Sequence, residues 1–250
     1  MRRFFTEKIS EKNGFCVISG SEARHIIKVL RMEKGGNLVV IDRAGKRYLA
    51  SLEKATRHEA LVRLIEPLPT PSPSPVEITL CQSILKSKHM DYIIQKTSEL
   101  GVDHIIPFYS ERTVVRIQDG KTDHRLNRWR EIAQSALKQS DRTKVTGIYH
   151  PVSFDDLIES FKHYSALKII LYEGEKGQDL KTMLREGTQE SKKIIGIVGP
   201  EGGFSEKEVK CAVKAGFVST SIGNRILRAE TAAIIVVALF QYELGDLSVN

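Results

Sequence analysis

A proline-rich segment divides the chain and limits the folds open to it. The stretch "PLPTPSPSP", residues 67–75, holds five of the eight prolines of this 250-residue chain. Proline fixes φ and lacks a backbone N–H, so such a run is excluded from helix interiors and forms a stiff, extended spacer. We therefore expect two domains, residues 1–68 and 76–250, joined by a linker over residues 69–75.

The part after the spacer alternates strand-like and helix-like runs. The candidate strands are "VEITLCQSI", "VDHIIPFYS", "ALKIILYE", "KIIGIVG" and "FVSTSIG". The candidate helices begin near Ser87, Asp123, Ser153, Gln178, Ser205 and Ala229. This order predicts an α/β domain with a mainly parallel sheet and right-handed crossovers.

The part before the spacer is mostly strand-like and carries nearly all the excess positive charge. Its runs "GFCVISG", "NLVVIDR", "KRYLASLEKA" and "EALVRLIE" predict a compact β-barrel. Residues 1–66 carry 14 Lys or Arg against 8 Asp or Glu, whereas residues 67–250 carry 24 against 23. A surface without a charged ligand would have its basic residues distributed over both parts of the chain. This asymmetry therefore favours contact between the first part and a phosphate backbone.

One helix-like run in this part, "SEARHIIKVLRMEKG", places basic residues at i, i+4 and i+7 on one face. The alternative is a solvated charged face without a ligand. The candidate nucleic-acid-binding residues are Arg2, Arg3, Arg24, Lys28 and Arg31.

Cysteine and histidine usage and the apolar runs exclude several classes of protein. Cys16, Cys81 and Cys211 form no C-x-x-C pair, and no H-E-x-x-H occurs, so neither a disulfide framework nor a metal site is indicated. We expect a reducing, cytoplasmic location. The longest apolar run, "AAIIVVALF", is about half the length of a membrane span, so no membrane insertion is expected.

The stretch "GIVGPEGGFSEKEV", residues 196–209, predicts a ligand loop at the end of a strand. Ser205 and Glu208 form a capping box, so a helix begins there. The glycine spacing matches no phosphate-binding motif, and Glu201 would repel an anion. The loop therefore suits a cationic or hydroxyl-bearing ligand, unless it is a glycine-rich connection with no ligand.

Three consecutive strands end in glycine-bearing loops: "LYEGE", "GPEGGF" and "IGNRILRAETAA". Such loops converge at the carboxyl edge of a parallel sheet. Gly223 and Asn224 tolerate positive φ, and a turn there would project Arg225 and Arg228 onto that edge. The helix that follows is apolar almost all round, which predicts burial against a second copy of the chain or wholly inside one subunit.

Taken together, "IVGPEGGFSEKEV" and "SIGNRILRAETAAIIVVAL" closely resemble the RsmE family of 16S rRNA uracil-N(3)-methyltransferases, of the SPOUT class. The resemblance extends to "HIIKVLRMEKGG", "DYIIQKTSELGVDHIIPFYSERTV" and "RWREIAQSALKQSDR". It implies a PUA-like RNA-binding β-barrel, followed by a methyltransferase domain with a carboxyl-terminal trefoil knot around S-adenosyl-L-methionine. It also implies a homodimer acting on 16S rRNA or the small ribosomal subunit, without a metal.

The resemblance further implies site residues. Arg228 is expected to stabilise charge on the uracil, and Glu230, or else Glu201, to accept the proton; alternatively these carboxylates only orient Arg228 or cap the helix. Arg112 is expected to contact RNA. The expected cofactor-binding residues are Leu171, Tyr172, Val198, Gly199, Pro200, Glu201, Gly202, Gly203, Ile222, Gly223, Leu227, Arg228 and Thr231.

Two other functions stay open on the residues alone. One is an RNA-binding or ribosome-assembly factor that has this fold but no turnover. The other is a nucleotide hydrolase that uses the glycine loop. The sequence disfavours a hydrolase because it has no lysine beside these glycines and no evident cluster of metal-binding carboxylates.

Overall fold

A computed structural model describes residues 1–7, 9–10, 14–42, 44–70, 72–118, 120–140, 142, 144–186 and 192–247. The chain forms two compact units. The first comprises Met1–Pro73 with Leu137–Val145, and the second comprises Ser74–Ala136 with Thr146–Asn250. The predicted functional boundaries at residues 68 and 76 stay a prediction. In the described part of the chain, no helix is long and apolar enough to cross a bilayer.

The first unit contains a small mixed sheet, as expected for a PUA-like domain. The strand order is β1-β3-β4-β5-β2, with β1 parallel to β3 and the other pairs antiparallel. Register shifts between Leu49 and Ala50 and between Leu52 and Lys54 interrupt the β4–β5 ladder, and such bulges bend a strand. The strands are β1 Arg3–Phe5, β2 Phe15–Ser19, β3 Asn37–Ile41, β4 Arg47–Ala55 and β5 Glu59–Pro67.

The helical segment of this unit differs from the predicted one. Helix α1, Gly20–Arg24, continues into a π-helical turn, His25–Val29, and Arg31 follows with φ +46°. A π-helical turn is wider than an α-turn, and Arg31 lies beyond it. The prediction of one α-helical face at i, i+4 and i+7 is therefore wrong, although all three basic side chains are exposed.

The second unit is built on a seven-stranded sheet in which every pair is parallel. The order is β12-β10-β11-β6-β7-β8, and β9 also pairs with β7. The predicted α/β class is thus confirmed, and the trefoil knot stays a prediction from the resemblance. The strands are β6 Glu77–Ser83, β7 His104–Tyr109, β8 Gly147–Ile148, β9 Val152–Ser153, β10 Leu167–Leu171, β11 Lys193–Val198 and β12 Val218–Thr220.

Six helices of the described residues follow these strands and begin close to the predicted positions. Ser205 and Glu208 form the capping box at the start of α6, and the Ser153 hydroxyl accepts a hydrogen bond from Asp156 N at the start of α4. The helices are α2 Ser87–Glu99, α3 Thr122–Ser140, α4 Phe154–Phe161, α5 Leu180–Glu186, α6 Glu206–Lys214 and α7 Ala229–Leu244.

Helix α7 packs into the core of the second unit. Val236 and Phe240 are fully buried within the single chain, and the ring of Phe240 lies against Gly196 of β11. From the sequence, these two apolar positions are candidates for contact with a partner subunit. In the structure they are part of the core of a single chain instead. The partly exposed apolar side of α7 instead includes Ile235, Ala238 and Leu239.

Candidate functional site

A cavity of about 740 Å³ lies where β10, β11 and β12 end. This large cavity is lined by the loops that follow those three strands, by the first residues of α7 and by residues near the start of α2. The strands end side by side because Leu171 pairs with Thr220 and Ile170 pairs with Ile197. The register of these strands therefore brings the three loops together at one edge of the sheet, as predicted.

The loop after β11 folds back in a tight turn before α6. The N–H of Gly203 donates to Pro200 O over 2.9 Å, and Gly203 has φ +67°. A Cβ at Gly203 would meet the carboxylate of Glu173, which is the movable end of an exposed side chain, so the positive φ is the main requirement for glycine there. A Cβ at Gly199 would come within 3.0 Å of the Phe204 ring. Gly203 is therefore favoured by its backbone conformation, and Gly199 by its close approach to the Phe204 ring.

Helix α6 begins with a network that ties this loop to the end of β7. Ser205 N donates to Glu208 Oε2 over 2.9 Å, and Glu208 N donates to Ser205 Oγ over 3.3 Å. The other oxygen of the buried Glu208 accepts from Glu111 N over 2.9 Å. The next residue, Arg112, donates through Nη1 to Gly202 O over 2.9 Å. The conformation of the loop is thus fixed from both sides.

The loop after β12 carries the two arginines that the sequence pattern directs to this edge. Gly223 has φ +95°, as predicted, whereas Asn224 does not have a positive φ. Arg225 and Arg228 both line the large cavity. Arg228 is the residue before α7, and its side chain makes no capping hydrogen bond. A guanidinium has no acceptor for the free N–H groups at a helix start, so Arg228 is not a capping side chain.

Glu230 lies in the first turn of α7 and faces a histidine from α2. The distance from His89 Nδ1 to Glu230 Oε2 is 3.4 Å, and both residues line the cavity. His89 Nδ1 has no hydrogen-bond partner within the described structure. The two side chains therefore approach each other at the cavity, which Arg228 also lines, without a hydrogen bond between His89 Nδ1 and the carboxylate.

The cavity has charges of both signs. The Gly177 N–H donates to Glu175 Oε1 over 2.9 Å, and this bond lowers the pKa of the Glu175 carboxyl below its ordinary value. Several of the lining residues are not among those expected to bind the cofactor. Two of them, Glu173 and Glu175, belong to the stretch "LYEGE", which the sequence pattern indicates as a strand-end loop. The ionisable lining residues outside the expected cofactor-binding and catalytic residues are Lys86, His89, Glu173, Glu175, Lys176 and Arg225.

Most of the expected cofactor-binding residues line this one cavity. Gly202 and Thr231 are outside its lining: Gly202 backs onto the Arg112 side chain, where a Cβ would be 3.3 Å from Arg112 Cβ. The expected residues that line it are Leu171, Tyr172, Val198, Gly199, Pro200, Glu201, Gly203, Ile222, Gly223, Leu227 and Arg228.

The expected RNA-binding residues fall in different settings. Arg2, Arg24, Lys28 and Arg31 are exposed in the first unit. Arg3 is partly buried and donates to Lys138 O over 3.1 Å, so it has a structural role. In the second unit, exposed Arg112 has the bond to Gly202 described above.

No group of three metal-binding side chains occurs among the residues that the structure describes. Burial raises the pKa of the Cys81 thiol well above its ordinary value. Cys81 is therefore held as a neutral core residue, and we assign it no part in the site.

Two family models match the chain. One, described as an RNA methyltransferase domain, covers residues 72–241, and the other, described as an RNA methyltransferase PUA domain, covers residues 18–65. Among named relatives, Ribosomal RNA small subunit methyltransferase E of Aquifex aeolicus is 32% identical, with 96% of this chain and 98% of the relative aligned.

Solved structures give the same result. A protein of this name from Neisseria gonorrhoeae, bound to S-adenosyl methionine, is 33% identical with a TM-score of 0.88, covering 99% of this chain and all of the other. A Legionella pneumophila protein in complex with the cofactor SAM is 31% identical with a TM-score of 0.89, and 98% of each chain is covered. The chain with the large cavity at its sheet edge therefore belongs to the ribosomal RNA small subunit methyltransferase E family of RNA methyltransferases.

Proposed function

We propose that the protein transfers a methyl group from S-adenosyl-L-methionine to the N(3) atom of a uridine in small-subunit (16S) ribosomal RNA. The observation that carries this proposal is the large cavity, formed by three strand-end loops in a chain whose relatives are solved with that cofactor. The uracil N(3) position comes from the sequence resemblance.

The lining of the cavity fits the proposed cofactor. S-adenosyl-L-methionine has a sulfonium cation, an amino group, a carboxylate and no phosphate, so it needs charges of both signs. The cavity offers Glu173 and Glu201 beside Arg225 and Arg228, and the glycine loop contains no lysine. Leu171, like other apolar lining residues, provides a wall for an adenine ring. Its volume lies in the usual range for small-molecule sites.

The proposed reaction makes two demands on the protein. When bound, the cofactor supplies an electrophilic methyl group; the protein must remove the N(3) proton of uracil and stabilise the negative charge that spreads onto the carbonyl oxygens. Arg228 supplies a guanidinium at the cavity, and its side chain makes no capping hydrogen bond at the start of α7. Glu230 accepts the proton in this proposal. His89, whose Nδ1 lies 3.4 Å from Glu230 Oε2, is the neighbouring group that would orient this carboxylate.

We propose that the first unit binds the RNA through its exposed basic residues. Arg24, Lys28 and Arg31 supply the positive charge that contacts the phosphate backbone. The functional division at residues 1–68 and 76–250 and a cytoplasmic location are part of the same proposal.

We also propose that the protein is a homodimer. Ile235, Ala238 and Leu239 leave an apolar, partly exposed side on α7 after the core of one chain is complete. A symmetric partner is the simplest cover for such a side, since twofold dimers are the commonest soluble oligomers.

The decisive experiment is methyl transfer from radioactive S-adenosyl-L-methionine to 16S rRNA and to small subunits, followed by nucleoside analysis. We expect label in 3-methyluridine. Cofactor binding without transfer to either substrate would favour the RNA-binding factor. Calorimetric binding of ATP in place of S-adenosyl-L-methionine would favour the hydrolase.

A further inference from the structure

A second cavity, of about 310 Å³, lies beside the large one in the same unit. Leu85 and Ser87 line the second cavity, whereas Lys86 between them lines the large cavity. The connection from β6 to α2 therefore has one cavity on each side. A nucleic acid whose target base enters the large cavity would bring a neighbouring part of its chain to the second.

The second cavity is strongly basic. Arg116, Lys121 and Arg125 line it, and no carboxylate is found among the described lining residues. Helix α3 begins at Thr122, between two of these cations, so the positive end of its dipole is at the same place. Three cations and a helix start favour a ligand with at least one full negative charge.

Contacts within the protein hold these groups in place. The Arg116 guanidinium lies 5.4 Å from the centre of the Tyr109 ring, and Ile117 N donates to the Tyr109 hydroxyl over 3.3 Å. Arg125 donates through Nη1 to the Ser87 hydroxyl. The segment after β7 and the start of α2 are thus fixed, which lowers the entropy lost when a ligand binds.

An unpartnered buried donor gives independent support. Trp129 lines the second cavity and is 1% exposed, and its indole Nε1–H has no acceptor within the described structure. A buried donor without a partner is unfavourable, so this N–H favours a ligand that brings an acceptor. A phosphate oxygen combines the acceptor with the negative charge that the cations require.

We propose that the second cavity binds a backbone phosphate of the RNA, in the part of the strand next to the target nucleotide. This inference rests on the proposed function for the identity of the ligand as RNA. The cations provide the charge attraction, and the Ser87 hydroxyl and Trp129 N–H provide neutral hydrogen bonds to the same group.

The chain contains a single tryptophan, so its fluorescence reports on this cavity. The probes are pentauridylate, uridine 5′-monophosphate, inorganic phosphate and uridine, each added to the full-length protein at constant ionic strength. We expect a saturable change in emission with both nucleotide phosphates, tighter for pentauridylate, and no change with uridine. An equal response to uridine, no response to pentauridylate, or equal affinity for inorganic phosphate and pentauridylate would overturn the proposal.

Two lysine variants make the test specific. Lys121→Ala is expected to weaken pentauridylate binding about tenfold, the usual effect of losing one charge-assisted contact. Lys207→Ala removes the same charge from an exposed position on α6, outside both cavities, and is expected to bind normally. Equal affinities of the two variants would contradict the phosphate site.

The same preparations separate this proposal from the proposed function. Lys121→Ala should raise the KM for RNA while the calorimetric affinity for S-adenosyl-L-methionine is unchanged. A normal fluorescence response in a protein that transfers no methyl group would retain the phosphate site and reject the methyltransferase. Methyl transfer with no fluorescence response would reject only the phosphate site.

Discussion

The backbone N–H of Glu111 donates a hydrogen bond to the buried carboxylate of Glu208 over 2.9 Å. Glu111 follows β7, and Glu208 belongs to the first turn of α6, so the bond joins the loop after β7 to the start of α6 at the carboxyl edge of the sheet. The same carboxylate closes the capping box with Ser205. One side chain therefore starts a helix and holds the loop that carries Arg112.

Replacement of Glu208 is expected to affect both stability and the site. Glu208→Ala loses the capping box and leaves Glu111 N without its acceptor, so the free energy of unfolding should fall by about 2 kcal/mol. Glu206→Ala is the matched control, since this exposed residue of the same turn forms a surface ion pair with Lys210; a change within about 0.5 kcal/mol is expected. Denaturant unfolding measures both, and equal losses would contradict the role of Glu208.

Two adjacent glycines should respond differently to substitution. Gly203→Ala places a side chain at φ +67° and against the Glu173 carboxylate, so it should weaken S-adenosyl-L-methionine binding about tenfold. Gly202→Ala brings a Cβ 3.3 Å from Arg112 Cβ at an ordinary φ, so a small local shift accommodates it and the variant should bind more tightly than Gly203→Ala. Calorimetry on the two folded variants gives the comparison, and a larger effect at Gly202 would refute this assignment.

The sequence predicts the existence of this loop better than its detail. The capping box at Ser205 and Glu208 could be predicted because its two partners are only three residues apart in the sequence. The structure confirms it. The neighbours of each glycine are not local in sequence: Glu173, next to Gly203, reaches the loop from another strand end. His89 belongs to the cavity for a similar reason, since α2 follows a strand that the sheet order brings next to β11.

The guanidinium of Arg228 is expected to matter for the chemical step. Arg228→Lys keeps the charge but loses the planar fork, and kcat should fall about 10²-fold to 10³-fold, as for loss of one preorganised donor to a developing anion. Arg225→Lys, in the same loop and lining the same cavity, should have a much smaller effect on kcat. Single-turnover methyl transfer measures this difference; equal rates for the two variants would remove Arg228 from the proposed mechanism.

The helical segment of the first unit departs from simple periodicity. The spacing of Arg24, Lys28 and Arg31 indicates one face only for a regular α-helix. The π-helical turn His25–Val29 changes the angle between successive side chains, and the positive φ of Arg31 ends the helix. The exposure of the three cations follows from their charge and was predictable, but their relative directions depend on a backbone irregularity that the sequence pattern does not reveal.

Charge reversal in this segment tests its proposed binding to RNA. Arg24→Glu with Arg31→Glu should weaken RNA binding and reduce the slope of log K against log salt by about one for each phosphate that the protein no longer neutralises. Lys54→Glu, an exposed reversal on β4 of the same unit, is the control and should have little effect. Cofactor affinity should be unchanged in all variants. If RNA affinity and salt slope match those of the control, the segment is a solvated charged surface.

The dimer prediction requires a variant at a position that one chain leaves uncovered. Val236 and Phe240 are fully buried in the core, so an aspartate at either would unfold the subunit itself. Ile235 is only partly buried and belongs to the apolar side of α7. Ile235→Asp should therefore shift sedimentation equilibrium from dimer to monomer while the circular dichroism spectrum stays that of a folded chain.

The matched control for this variant is Val213→Asp, which introduces the same charge at a 48% exposed valine on α6. This control should sediment as the dimer, because α6 is outside the proposed interface. A dimer loses its partner when an unpaired carboxylate is buried at the interface, so the difference between the two variants reports on α7 specifically. A wild-type protein that sediments near the 28.1 kDa chain mass and still transfers methyl groups would show that one subunit is sufficient.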